Sequence, residues 1–373
     1  MSTSVSPAWL GEVWDKVTAK MPYCVEKARE LDVIPYTAKD GRWVNPYGAS
    51  WWTNGFWPAL ARLMEIGTGE AIYRQEAERG EAMMDAALER FEELHHDLGF
   101  QFKISSGVSY ALTKNPKSLR RTLFAAYMLA GRFNPNGFIR AWNGDRAGWS
   151  IIDTMMNLPL LYWASRETGD PRFRLIAQRH ADHTIQHFIR PDASSHHIVI
   201  FDPETDAVLD TPRGQGYAPG SSWTRGQAWA LYGFTLSYLW TGKDSYLETA
   251  RRVADRFLER ITPEWIPNID FEQPEQPFAK DNCAGAIAAS GLLELAALVP
   301  ERSEAYRDAA LNMVKAMADH CGDWTMDEPG ILRLCSGSYE DRSSWHIKMV
   351  YGDCFFVEAL LKLKGSTKNI WLL

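Results

Sequence analysis

The hydrophobic positions along the chain define two kinds of helical segment that alternate. One kind is apolar on nearly every side and rich in small residues, which is the pattern of a buried helix. The other kind carries its charges on one face, as residues 247–258 do, and predicts a helix at the surface. With residues 9–31 as the first surface helix, the chain contains six of each. The six segments predicted to be buried cover residues 57–66, 100–112, 151–164, 228–240, 284–298 and 350–363.

A short phrase separates three of the buried segments from the surface segments that follow them. It reads Thr-Gly followed by an aromatic residue, at Thr68-Gly69, Thr168-Gly169 and Thr241-Gly242. Repeats at this spacing indicate an array of similar units that bury their faces on one another. Because six helices are buried all round, a closed ring explains them better than an open solenoid. We therefore predict an all-α fold, an (α/α)6 barrel of six inner and six outer helices, as a single domain over residues 1–373. Residues 197–201 predict one arm of a short hairpin.

Composition and charge exclude several classes of function. The 373 residues are 46% hydrophobic, carry a net charge of −7 and include 16 tryptophans. No transmembrane segment or secretory signal is predicted, and an acidic chain is not expected to bind nucleic acid or a membrane surface. The five cysteines are scattered and never form a CxxC pair, which favours a reducing compartment. We expect a cytoplasmic protein.

The loops that enter the buried helices carry the residues with chemical potential. In a closed ring these loops meet at one end, and they place carboxylates, indoles, an imidazole and a guanidinium there. Asp153 stands among apolar residues at the start of a buried helix, and Asp97 follows two histidines. Each is either a helix cap or a catalytic acid. His180, His183 and His187 share one helix face, but without an accompanying acid or cysteine motif zinc is the less favoured interpretation.

Five stretches of the chain resemble the unsaturated glucuronyl hydrolases of glycoside hydrolase family 88. They are Trp52-Thr-Asn-Gly-Phe-Trp, His95-His-Asp-Leu-Gly-Phe, Ile151-Ile-Asp-Thr-Met-Met-Asn-Leu-Pro-Leu-Leu, Phe201-Asp-Pro-Glu and Trp223-Thr-Arg-Gly-Gln-Ala-Trp. The order and spacing of the stretches agree with the family from about residue 52 to residue 363. Two positions depart from its pattern: Asn54 stands where an acid is expected, and Gly214 stands where relatives have His.

The resemblance implies a hydrolase that removes a 4,5-unsaturated uronic acid from the non-reducing end of oligosaccharides made by polysaccharide lyases. It places Asp153 at the general acid/base and Asp97 at a second essential carboxylate. It also implies that the substrate-binding residues are Trp52, Trp142, His197, Gln215, Arg225 and Trp229. Of these, His197 and Arg225 are the candidate cations for the uronate, although Arg225 could equally pair with an acid inside the ring.

The expected reaction is hydration of the double bond, with no metal and no organic cofactor. Asp153 would protonate C4 and then deprotonate the water that attacks C5. We expect no partner beyond the substrate, and a monomer or weak homo-oligomer. The alternatives are a hydrolase of unsaturated rhamnogalacturonan fragments, a sugar isomerase or epimerase that uses paired histidines, and a sugar-binding protein without catalysis. The parent polysaccharide, and tolerance of sulfate near Ser336, Ser338 and Lys348, stay open.

Overall fold

The long helices form two concentric rings in the computed structural model, which describes residues 7–373. Odd-numbered helices form the outer ring and even-numbered helices the inner ring. In chain order they are α1 (Pro7–Glu30), α2 (Phe56–Thr68), α3 (Ala71–Met83), α4 (π-helical over Gly99–Gly107 and α-helical over Val108–Thr113), α5 (Pro116–Ala130), α6 (Leu158–Thr168), α7 (Pro171–His187), α8 (Thr224–Thr241), α9 (Asp244–Arg260), α10 (Asn282–Leu298), α11 (Ser303–Ala316) and α12 (Val350–Leu363).

The inner ring closes on itself. Each inner helix packs against the next, and α12 packs against α2. Shorter helical pieces lie at Asp85–Glu89, Phe91–Glu93, Ile152–Met156, Pro300–Arg302, Met317–Cys321 and Arg342–Ser344. The predicted (α/α)6 barrel is confirmed, because the six segments expected to be buried coincide with the six inner helices.

Left-handed glycines end three of the inner helices, as the Thr-Gly phrases predict. Gly69, Gly169 and Gly242 have φ values of 77°, 74° and 68°. In each phrase the threonine hydroxyl donates to the carbonyl oxygen four residues earlier, so the helix ends and the chain turns sharply. These turns leave the long loops, and with them the candidate site, at the opposite end of the ring.

Two small antiparallel sheets lie among the long loops. One has the order β2 (Arg42–Val44), β1 (Thr37–Lys39), β6 (Lys348–Met349). The other has the order β3 (Trp149–Ile151), β4 (Ile198–Phe201), β5 (Val208–Asp210). The β4–β5 hairpin confirms the predicted strand. The Ile152 amide donates to the His197 carbonyl oxygen at 3.0 Å, so this second sheet holds His197 beside the segment that carries Asp153.

The centre of the ring is packed with side chains. Trp371 is fully buried, with its ring 5.9 Å from Phe355 and 6.1 Å from Phe100. Lys103 Nζ donates to the carbonyl oxygen of Ile370, which fixes this segment inside the ring. The filled centre restricts any cleft to the loop end. Among the described residues, no helix is both long and apolar enough to cross a membrane.

Candidate active site

Asp153 lies in the short helical turn Ile152–Met156, just before α6, and is 8% exposed. The N-cap residue of this turn is Ile151. Asp153 is therefore not a helix cap, which was one of the two interpretations that the sequence allowed. Burial raises the pKa of Asp153 to about 7, and the charge of Asp97 adds to the rise while Arg225 opposes it. The side chain is thus suited to hold a proton near neutral pH.

Asp97 lies in the loop before α4 and is 7% exposed. Its Oδ2 is 3.0 Å from His95 Nδ1 and 3.4 Å from His96 Nε2. Burial alone would raise the pKa of Asp97, but His96, the hydrogen bond from His95 and the charge of Arg132 lower it below its ordinary value. The cap position of the following helix is Leu98, so Asp97 is also not a cap.

His96 lies between Asp97 and Thr154, the residue that follows Asp153. Its Nδ1 is 3.0 Å from the Thr154 hydroxyl, next to Asp153, while its Nε2 faces Asp97. Burial lowers the pKa of His96 to about 4, so the ring is neutral at neutral pH. A carboxylate can only accept a hydrogen bond, which places the ring hydrogen on Nε2. The site therefore holds one carboxyl group with a raised pKa and one with a lowered pKa, an arrangement that separates an acid from an anion.

His197 is held as a neutral donor, and the expectation that it serves as a cation is wrong. Its Nδ1 accepts the backbone N–H of Gln215 at 3.0 Å, which leaves the hydrogen on Nε2. Nε2 lies 3.6 Å from Asp153 Oδ2. Burial lowers the pKa of His197 to about 3, and the nearby charge of Arg225 lowers it further.

Arg225 lies close enough to Asp153 and His197 to act on both groups, lowering the pKa of each. Its own charge, however, is already matched by an acid. Nη1 donates to Asp281 Oδ2 at 2.6 Å and also to the Ser336 carbonyl oxygen, and Nη2 donates to the Gly337 carbonyl oxygen. The guanidinium lies 4.6 Å above the Trp223 ring. Pairing with an inner-ring acid, the alternative that sequence left open, is the observed arrangement.

Gln215 contacts both His197 and the segment that contains Gly337. Its Nε2 donates at 2.9 Å to the Gly337 carbonyl oxygen that Arg225 also contacts. Sequence reasoning missed Asp281 and Gly337, which are 56 and 112 residues from Arg225. No local signal marks them, because the barrel alone brings them together.

The three predicted tryptophans occupy different environments. Trp142 is half-buried, with its ring 6.3 Å from His96 and 5.8 Å from Trp149. Trp52 is also half-buried and lies 5.1 Å from Tyr351. Trp229 is fully buried, 5.1 Å from Phe100, so it has no ring face on which a sugar could stack. Its indole N–H instead lies near Asp153 and offsets a small part of the rise in the pKa of that acid.

Three buried polar atoms converge without hydrogen-bond partners in the part of the chain that the structure describes. They are Asp153 Oδ2, His197 Nε2 and Trp229 Nε1. Buried polar atoms in proteins are normally paired, because leaving one unpaired costs about 1–3 kcal/mol. A ligand with hydroxyl or carboxylate oxygens at this point would satisfy the two N–H groups.

Three of the positions flagged in the sequence serve the scaffold. Asn54, at the position where an acid is expected, is fully buried and donates to the carbonyl oxygens of Gly48 and Ala49 at 2.9 and 2.8 Å. A carboxylate could not donate these bonds. Ser336 donates to the Lys280 carbonyl oxygen, and buried Lys348 pairs with Asp323 at 2.6 Å. Both side chains are therefore engaged inside the protein.

The geometry disfavours the isomerase alternative. Such enzymes need opposed imidazoles that exchange protons, whereas His96 is tied to Thr154 and Asp97, and His197 is tied to Gln215. A helical barrel that holds one carboxyl group with a raised pKa and one with a lowered pKa beside half-buried indole rings fits a carbohydrate-cleaving enzyme.

Comparison with known proteins identifies the family. The sequence model of Glycosyl Hydrolase Family 88 matches residues 13–239. The chain is 37% identical over 340 residues to the unsaturated glucuronyl hydrolase of Bacillus sp. (strain GL1), covering 86% of this chain and 88% of that protein. It is 32% identical to the unsaturated chondroitin disaccharide hydrolase of Streptococcus pyogenes serotype M1, covering 86% and 83%.

The fold agrees with these relatives. The crystal structure of the unsaturated glucuronyl hydrolase from Bacillus sp. GL1 superposes with a TM-score of 0.91 at 34% identity, covering 96% of this chain and 98% of that one. The chain therefore belongs to glycoside hydrolase family 88 and is a glycoside hydrolase.

Proposed function

We propose that this enzyme removes the 4,5-unsaturated uronic acid from the non-reducing end of lyase-generated oligosaccharides by hydrating its double bond. The observation that carries the proposal is the pair of buried carboxyl groups with opposite pKa shifts, Asp153 raised and Asp97 lowered. The names of the relatives support the substrate class, since they are unsaturated glucuronyl and unsaturated chondroitin disaccharide hydrolases.

In the first step Asp153 gives its proton to C4 of the sugar. The double bond of the unsaturated uronate is an enol ether, so protonation at C4 leaves an oxocarbenium-like centre at C5. Asp97 stays ionised and stabilises that positive charge or orients the sugar hydroxyls. The neutral N–H groups of His197 and Trp229 lie beside Asp153 and have no hydrogen-bond partner in the described chain, so they are available to donate to oxygens of the bound sugar.

In the second step water adds to C5. The Asp153 carboxylate takes a proton from the attacking water, which restores the acid and leaves a hydroxyl group on C5. The bond between C5 and the ring oxygen then breaks: the C5 hydroxyl loses its proton to give a ketone at C5, and the ring oxygen gains a proton to become a hydroxyl group on C1. That C1 hemiacetal expels the leaving sugar as an alcohol and becomes an aldehyde, so only one water molecule is consumed.

We propose that the other predicted residues bind the sugar or shape the loop beside it. Half-buried Trp142 and Trp52 offer ring faces to the sugar, which is a common mode of carbohydrate recognition. Gln215 and Arg225 share the Gly337 carbonyl oxygen and so fix the loop that borders the site. Because the charge of Arg225 is matched by Asp281, uronate recognition depends on neutral donors as well as on this cation.

A panel of lyase-made oligosaccharides from chondroitin, hyaluronan, heparin, gellan and xanthan tests the proposal. We expect loss of the ultraviolet absorbance of the conjugated double bond, together with release of a second sugar, on at least one member. Binding without turnover on every member would instead indicate a non-catalytic sugar-binding protein. Unsaturated rhamnogalacturonan fragments are assayed beside this panel, and a preference for them would show that the enzyme belongs to the alternative substrate class.

We further propose that the two rings form a single domain that acts in the cytoplasm as a monomer or weak homo-oligomer. All five cysteines are buried free thiols, which agrees with a reducing compartment. Sedimentation of the purified enzyme at several concentrations tests the oligomeric state, and a stable dimer at nanomolar concentration would contradict it.

A further inference from the structure

Three metal-ligand side chains meet on the outer surface of the barrel, away from the carboxyl pair. His183 and His187 lie one turn apart on α7, and Asp206 lies in the turn of the β4–β5 hairpin. One ligand atom from each lies within 4.8 Å of the other two, and these three form the only such group among residues 7–373. The acid that the histidine pattern lacked in the sequence is supplied by the hairpin.

The surrounding structure holds these side chains in place. His183 is 5% exposed, and its ring packs 4.7 Å from Phe201 and 5.8 Å from Phe138. Its Nε2 lies 2.9 and 3.1 Å from the two carboxylate oxygens of Asp206. Asp206 has a left-handed backbone with φ 65°, so its carboxylate is aimed by the turn itself.

The third histidine of the pattern does not belong to the group. His180 Nδ1 accepts the backbone N–H of Ile139 at 3.0 Å, and the side chain is 1% exposed. It therefore faces the inside of the barrel. The ligand set is two imidazoles spaced i, i+4 on one helix and one carboxylate from a neighbouring element, with His187 half-buried and Asp206 reachable from solvent.

We propose that His183, His187 and Asp206 form a binding site for a divalent transition metal, with Zn²⁺ as the fitting ion. Two imidazole nitrogens and one carboxylate oxygen leave a fourth tetrahedral position for water. The ion takes the place of the hydrogen on His183 Nε2, which now faces Asp206. The neutral ring then carries its single hydrogen on Nδ1. That atom is buried and has no hydrogen-bond partner in the described chain.

The site ties an outer helix to the sheet that positions the proposed catalytic machinery. Strand β4 begins immediately after His197, and the turn between β4 and β5 carries Asp206. The turn is already attached to the barrel by Asn134 and Asn136, whose side-chain amides donate to the Pro203 carbonyl oxygen. A bound ion adds a second attachment on the His183 side, so it stabilises the hairpin without contacting the substrate.

Zinc binding to the tag-free, chelator-treated protein, measured by equilibrium dialysis with metal analysis, tests the proposal. We expect His187→Gln and Asp206→Asn each to bind one equivalent less than the unaltered protein, or to bind that equivalent at least about 10-fold more weakly. His320→Gln removes an exposed imidazole elsewhere and is the matched control. Zinc that binds near His95, His96 and Asp97 is common to all four proteins and cancels in the comparison.

Thermal unfolding supplies an independent measurement. Zinc should raise the Tm of the unaltered protein and of His320→Gln above that of the two ligand variants, because an ion that binds only the folded state stabilises it. Retained hydrolase activity shows that the variants are folded, since neither residue belongs to the active site. Equal zinc stoichiometry, affinity and Tm shift in all four proteins would overturn the proposal.

Discussion

Asp153 and Asp97 are both buried, yet their neighbours move their pKa values in opposite directions. For Asp153, burial among Ile152, Met155 and Met156 is the largest cause of the raised pKa. For Asp97, the adjacent His95 and His96 overcome the same effect. The residue pattern alone left each of the two as a helix cap or a catalytic acid, and it was the family resemblance that implied their separate roles.

The tryptophans show where sequence reasoning at the residue scale fails. A tryptophan in a helix that is apolar on all sides can be a stacking surface or core, and periodicity does not distinguish the two. Trp229 is core, and only its N–H reaches the site. The neutral state of His197 could not be predicted from the sequence either, because the burial and the Gln215 contact that make it neutral come from distant segments.

Substitutions of Trp142 and Trp229 should consequently affect different kinetic constants. Trp142→Ala should raise KM about 5-fold with kcat little changed, through the loss of about 1 kcal/mol of ring stacking. Trp229→Phe keeps an apolar ring but removes the N–H near Asp153, so it should lower kcat with little change in KM. Steady-state kinetics on one unsaturated disaccharide separates them. A raised KM as the main effect of Trp229→Phe would instead show that this residue stacks on the sugar.

At the scale of elements, the alternation of buried and amphipathic helices was predicted closely, because burial on all sides and a one-sided charge pattern are both local properties. The π-helical start of α4 was not predicted. The sheet that joins β1, β2 and β6 was also missed, since β6 comes from residues 348–349, more than 300 positions after its partner. Such pairings depend on closure of the ring and leave no periodic signal.

The loop around Gly214 controls the position of His197. Gly214 has φ 60°, and a Cβ atom there would lie 1.9 Å from His197 Nδ1. Gly214→Ala should therefore displace the imidazole that faces Asp153 and lower kcat by at least about 10-fold, a loss of about 1.4 kcal/mol in transition-state stabilisation.

Gly220→Ala is the matched control for this prediction. Gly220 lies in the same loop region with φ 80°, but a Cβ atom added there would meet no atom of the described residues within 4 Å. Both substitutions impose the same left-handed backbone cost of about 1–2 kcal/mol, but only Gly214→Ala creates the contact. Equal kcat values for the two variants would show that His197 does not depend on the glycine.

For the whole molecule, the proposed acid should make the fold less stable at neutral pH. The folded protein keeps the Asp153 proton up to about pH 7, whereas the unfolded chain loses it near 3.8. Between these values the folded state binds more protons, so this group's contribution to stability is present at low pH and is lost as pH rises towards 7.

Asp153→Asn should therefore separate activity from stability. The amide cannot supply a proton, so turnover should fall at least about 100-fold. Because the amide does not ionise, the variant should lose less stability than the unaltered enzyme when the pH rises from 5 to 8. Circular dichroism melts at both pH values, beside the kinetic assay, give the two results. Near-normal turnover, or parallel stability losses, would contradict the assignment of Asp153.

The fate of the solvent hydrogen tests the hydration mechanism most directly. Protonation of C4 by Asp153, which exchanges with solvent, predicts that the reaction in heavy water places one deuterium on C4, on a single face. The rate should also fall, because proton transfer to carbon lies in the barrier. Nuclear magnetic resonance of the quenched product detects the deuterium at C4. A product released with its 4,5-double bond intact and no deuterium at C4 would show ordinary glycosidic hydrolysis and contradict the hydration mechanism.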